Sequence, residues 1–261
     1  MKEGFIRGMS ARASRGFRRR EFWLIAGLVM TLLGFIIVPF QVMERSSPGW
    51  MQLAFESVPF YLCLGLVAAG GVLFGKANER LDRGEIINWG DLLQASAQRM
   101  ILGLSIGLFF LTIWTVLWFL LGLIVILKEV PGVALLLHLL NSGLKTISLL
   151  SLFIFIPIVA LYPKSVKNMV ILGFNRALKN VYETFLLILF SFLPVIVIWA
   201  WMWHAEAELN NVVPMERGLL AIGMRHVGMI PVLVLIGSPV LIFWYSLLFE
   251  AHKEWEREEN R

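Results

Sequence analysis

The apolar region 132–162 is interrupted by His138, Asn141, Ser142, Gly143 and Lys145, and three of these are polar side chains set close together: Asn141, Ser142 and Lys145. Polar groups at membrane depth are costly and mark substrate or ion paths. The three form a candidate intramembrane polar site. The competing reading is an interfacial turn whose lysine stem lies along apolar surface while its head reaches the headgroups. A second constellation is His204, Glu206 and Glu208, with His226 further on. Two imidazoles and a carboxylate can bind Zn²⁺, but this spacing matches no zinc motif. Haem ligation would need imidazoles facing one another at one depth, whereas His138, His204, His226 and His252 stand near the ends of apolar runs. No Gly-rich phosphate loop, H-E-x-x-H, C-x-x-C or Ser-His-Asp arrangement is present. No catalytic residue, metal site or cofactor is therefore expected.

The elements that must position these groups are long apolar helices. The run 100–127 lies between Arg99 and Lys128 without one charged residue. As a helix it would be about 42 Å long, against a hydrocarbon layer about 30 Å thick. The chain is 58% hydrophobic with mean hydropathy +0.77, where soluble chains average about 45–50% apolar. Its lone cysteine, Cys63, permits no internal disulfide. Six segments pass the length test: 22–42, 58–75, 100–127, 144–162, 184–203 and 228–249. The expected fold is all-α, a polytopic transmembrane bundle of six spans with amphipathic helices at its interface. A basic segment, 1–21, precedes the six-helix domain, 22–250, and a charged tail, 251–261, follows it.

Charge then orients the bundle. Eighteen of the 23 Lys and Arg fall in 1–21, 76–99, 163–183 and the C-terminal tail. The positive-inside rule puts these segments, and both termini, in the cytoplasm. The excess of positive charge, +5, then points to anionic lipid headgroups as partners. No nucleic-acid motif accompanies it. Arg18, Arg19, Arg20, Arg83, Asp91, Lys164, Lys167, Arg176 and Lys179 are the candidate cytoplasmic contacts for lipid or a protein partner. In the N-terminal segment, Phe5, Ile6, Met9, Ala13 and Phe17 share one helical face, with arginines opposite. That pattern suits a helix lying in the interface; a disordered basic tail is the other reading. Arg19-Arg20-Glu21-Phe22 is similar to the core of a twin-arginine signal, but the long apolar run after it lacks an A-x-A site and reads as a retained span.

Helix packing has its own signal. Gly65 and Ala69, Gly71 and Gly75, and Gly103 and Gly107 are spaced four apart. Such pairs let backbones approach closely, within this bundle or between copies. The two basic loops are built alike, each some twenty residues long and leading straight into a span. In the first, Asn88 can cap a helix whose third residue is Asp91, with Ile87 stapled to Leu92. In the second, Pro163 and Ser165 open a helix with an apolar stripe through Val166, Val170, Phe174, Ala177, Leu178 and Val181. Both helices are expected to lie flat at the inner surface or under the bundle. The region 132–162 is too long for one straight span. It divides into an outer-leaflet or re-entrant piece, 133–140, and a span, 144–162, or else forms one long tilted helix. Pro157, Pro194 and Pro239 stand within spans, where kinks are expected.

The run LDRGEIINWGDLLQASAQRMILGL, with Arg83-Gly84, Asn88 and Asp91-Leu92, resembles a feature of uncharacterised bacterial six-helix membrane proteins. These are similar to the membrane domain fused to some glycerophosphodiester phosphodiesterases. The segment IPIVALYPKSVKNMVILGFNRALKNVYETFLLIL is similar to that family's second loop, with Asn180 at the entry to the fifth span. The resemblance covers residues 60–200; the arginine-dense amino end departs from it. It implies a multi-pass protein of the bacterial inner membrane and carries over no catalytic residue. The leading expectation is a non-enzymatic membrane protein that organises or assists partner proteins or lipids, with self-association among its options. The alternatives are the permease subunit of an ABC-type or other transporter, and an accessory subunit of a large respiratory or photosynthetic complex.

Overall fold

Backbone N–H and C=O groups in hydrocarbon must be satisfied within their own segment, and helices do this. The computed structural model describes residues 13–45, 49–128, 131–162, 165–189 and 219–259. Among these it is all-helical, with no strand. A short 3-10 turn, Ser14–Arg18, leads into α1 (Arg20–Arg45), α2 (Gly49–Asp82), α3 (Trp89–Lys128), α4 (Pro131–Leu161) and α5 (Val166–Lys179). Residues 181–189 are helical and form the described part of α6. The last helix is α7, Leu219–Glu259.

Five stretches are long and apolar enough to cross a membrane: Arg20–Ile37, Ser57–Asp82, Trp89–Leu121, Leu135–Leu161 and Ile230–Glu259. They overlap five of the six expected segments. The remaining one, 184–203, lies outside the described residues beyond 189.

The centre of the bundle is α2, which touches α1, α3, α4 and α7. Its residues Gly65, Gly71 and Gly75 meet three different neighbours. A Cβ on Gly65 would lie 3.0 Å from the Leu104 carbonyl oxygen of α3. One on Gly71 would strike Ile156 of α4 at 2.5 Å and Tyr245 of α7 at 2.9 Å. One on Gly75 would overlap Phe249 of α7 and Ala160 of α4. Opposite Gly65 and Ala69, α3 presents Gly107 and Gly103, so two helix backbones touch with no side chain between them. Around this seam the core is aromatic: Phe22, Phe74, Tyr245 and Phe249 are buried together with Ile156 and Trp114. Phe22 lies against Phe74 with ring centroids 3.9 Å apart. The Tyr245 hydroxyl donates to the Val67 carbonyl and ties α7 to α2.

The polar break at 141–143 does not divide the fourth region: α4 runs unbroken from Pro131 to Leu161, as the single-helix reading has it and the divided one does not. Its Asn141 is satisfied sideways, by a hydrogen bond to α2, so the backbone need not turn to solvate it. Nor does the first basic loop form a separate flat helix. Asn88 caps the chain, its side-chain oxygen accepting from the Gly90 N–H at 3.0 Å, and α3 then continues from Trp89 into the span. The second loop does form a separate helix. Ser165 caps α5 by accepting from the Asn168 N–H. At the other end the Asn180 amide donates to the Arg176 carbonyl at 3.0 Å, and the backbone leaves helical geometry.

Candidate functional site

The start of α1, the ends of α2 and α7, and the end of α4 with α5 gather at one end of the bundle. Arg19 reaches from the α1 entry to α2, donating to Asn78 Oδ1 and Asp82 Oδ1, both at 3.0 Å. Lys253 of α7 donates to the other Asp82 oxygen at 2.6 Å and lies 3.5 Å from Glu250. Isolated surface ion pairs contribute little. This one carboxylate is shared by two cations from two other helices, so it fixes three chain segments at once. Between them is a cavity of about 230 Å³ lined by Arg15, Gly16, Arg19, Phe22, Asn78, Asp82, Ser246, Glu250, Lys253 and Arg257.

A second cluster holds α5 to α7. The Arg176 guanidinium donates to Glu259 through Nε and Nη2, the shortest bond being 2.8 Å, and through Nη1 to the Tyr162 hydroxyl at 2.8 Å. Burial works against its charge, but the bonds to Glu259 and Tyr162 outweigh that and raise its pKa above the ordinary arginine value. The Arg176 side chain is 4% exposed. It is therefore a structural tie and not the free cytoplasmic contact that its sequence position suggested. Its burial turns the apolar stripe of α5 outward: Val170, Phe174, Leu178 and, beyond the helix, Val181 are exposed.

A third polar tie caps α4. Arg99 Nη1 donates to the Ala160 carbonyl and, at 3.5 Å, to that of Val159. The helical partner of the Val159 carbonyl would be the N–H of residue 163, which is a proline and has none. Arg99 supplies the missing donor and places positive charge at a helix C-terminus.

The intramembrane group is split. Asn141 is buried and accepts a hydrogen bond from Ser57 Oγ at 3.1 Å. Lys145 Nζ lies 5.5 Å from the Phe60 ring centroid on the same α2-facing side, whereas Ser142 points away and is exposed. Ser57 precedes Lys76 by 19 positions, about 28 Å along α2. That is close to the hydrocarbon thickness, so the pair stands at the end of the bundle opposite the charged cluster.

Of the other expected contacts, Arg18, Arg20, Asp91, Lys167 and Lys179 are exposed, and Arg83 is exposed and paired with Glu79 at 2.6 Å. Lys164 lies outside the described residues, as do His204, Glu206 and Glu208. Among the described residues no three metal-binding side chains gather. Sequence reading missed Asn78, Asp82, Glu250 and Lys253. Their signal was present: Asn78 and Asp82 are four apart on α2, and Glu250, Lys253 and Arg257 share a face of α7 just past its apolar run. Nothing local pairs Glu259 with Arg176. No family model, curated protein or solved structure matches the chain.

Proposed function

We propose that the chain is a non-enzymatic, six-span protein of the bacterial inner membrane, with both termini cytoplasmic, that organises or assists partner proteins or lipids. The observation that carries this is the charged end of the bundle, where Arg19, Asp82 and Lys253 join the first and last helices around a polar cavity. The described parts of the basic segments that the positive-inside rule assigns to the cytoplasm stand at the same end. Chain parity supports six crossings. Gly75 of α2 meets Ala160 near the end of α4 and Phe249 near the end of α7, so both helices run toward the charged end and α7 begins at the opposite one. The apolar segment 184–203 of the sequence, between α5 and α7, is long enough for one more crossing and supports a sixth span. The loop motifs around Arg83-Gly84, Asn88 and Asn180 fit the resemblance to six-helix bacterial membrane domains.

The test is isolation of the full chain in mild detergent, with mass spectrometry of everything retained. Retention of anionic lipid or of a stoichiometric membrane partner is the expected result. A chain that emerges alone and lipid-free from every gentle detergent would refute the reading. A copurifying ATPase would instead favour the permease alternative.

A further inference from the structure

We infer that the cavity at the charged end is a binding site for a phosphate group, presented by an anionic lipid headgroup or free in the water. This deepens the reading above and rests on it. The charge count favours an anion: Arg15, Arg19, Lys253 and Arg257 line the cavity against two carboxylates, Asp82 and Glu250. Both Asp82 oxygens are already engaged, by Arg19 and Lys253. Among the described residues, Arg15 has no ion pair and Arg257 is held only by its own helix neighbour, Glu254, at 3.3 Å. Arg15 is therefore available, and Arg257, whose exposed pair contributes little, can be shared with a ligand; their planar forks match phosphate oxygens. Ser246 in the wall has a buried hydroxyl without a hydrogen-bond partner among the described residues.

Size and height agree with this charge. The cavity's roughly 230 Å³ compares with about 30 Å³ per water in the liquid, which leaves room for a phosphate and its ester oxygens. Asn78 lies three residues past Gly75, where the apolar run of α2 ends. That is about 4.5 Å along the helix, within the headgroup layer that borders the hydrocarbon. Below the cavity, α1 exposes Trp23, Leu24 and Leu28, a face along which an acyl chain can run.

The experiment uses the full chain in nanodiscs of phosphatidylcholine, supplemented with phosphatidylglycerol or with inorganic phosphate, and reads thermal stability and lipid retained in native mass spectrometry. Wild type should be stabilised by phosphatidylglycerol and keep it. The double variant R15Q/R257Q leaves the Arg19–Asp82–Lys253 tie intact and should bind it about 25-fold more weakly, from about fivefold per basic residue near the surface. R80Q, outside the cavity, should behave as wild type. Stabilisation by inorganic phosphate with the same dependence on Arg15 and Arg257 would assign the site to a free phosphate. The inference is overturned if neither probe stabilises wild type, or if the double variant responds as wild type does. Retained protein partners in that case would leave the broader reading standing.

Discussion

Gly107→Ala is the most direct probe of the seam between α2 and α3. The added Cβ would overlap the Tyr61 carbonyl oxygen and lie 2.6 Å from Gly65 N and 2.8 Å from Gly65 Cα. These are backbone atoms of a helix and cannot rotate away. Restoring ordinary contact parts the two helices by about 1 Å, and a gap of that size forfeits about half of each contact's attraction. Overpacking of this kind costs about 1–3 kcal/mol. Alanine's better helix propensity returns about 1 kcal/mol, so the net loss should be about 0–2 kcal/mol, or about 1–3 kcal/mol relative to a helical Gly→Ala change without the clash. Gly143→Ala is the matched control, because nothing lies within 4 Å of its Cβ position on α4; it should be neutral or slightly stabilising. Unfolding by sodium dodecyl sulfate titration in mixed micelles reads both. If Gly107→Ala unfolds at the same detergent fraction as Gly143→Ala, direct backbone contact is not what holds these helices.

Three further outcomes follow from single contacts. Arg99→Ala strips the donor from the end of α4 and should cost about 1–3 kcal/mol, read in the same titration, with Arg99→Lys recovering part of the loss. A double-mutant cycle between Ser57→Ala and Asn141→Ala should give a coupling of about 0.6–1.7 kcal/mol; zero coupling would mean that the bond at 3.1 Å contributes nothing. Arg176→Ala should leave Glu259 without its partner and free α5 from α7, seen as faster amide exchange confined to α5 and the end of α7. Unchanged exchange there would contradict the tie.

Hydropathy alone was enough to read the α class and five membrane-length helices, because an uncharged run of 28 residues such as 100–127 has few other stable states. The caps at Asn88 and Ser165 were equally legible, since capping depends on neighbours two or three residues away. Sequence did not decide what each polar residue does. The two basic loops read alike, yet one merges into α3 and the other stands apart as α5, because Asn180 breaks the second while Arg99 anchors the first to α4. Arg176 reads as a surface cation and is buried, because its counter-ion Glu259 is 83 residues away. Gly71 and Gly75 read as one packing pair and serve α4 and α7 together. Periodicity is a property of one helix and survives in the sequence; a partner's identity depends on which helices lie side by side, and only the tertiary structure supplied it.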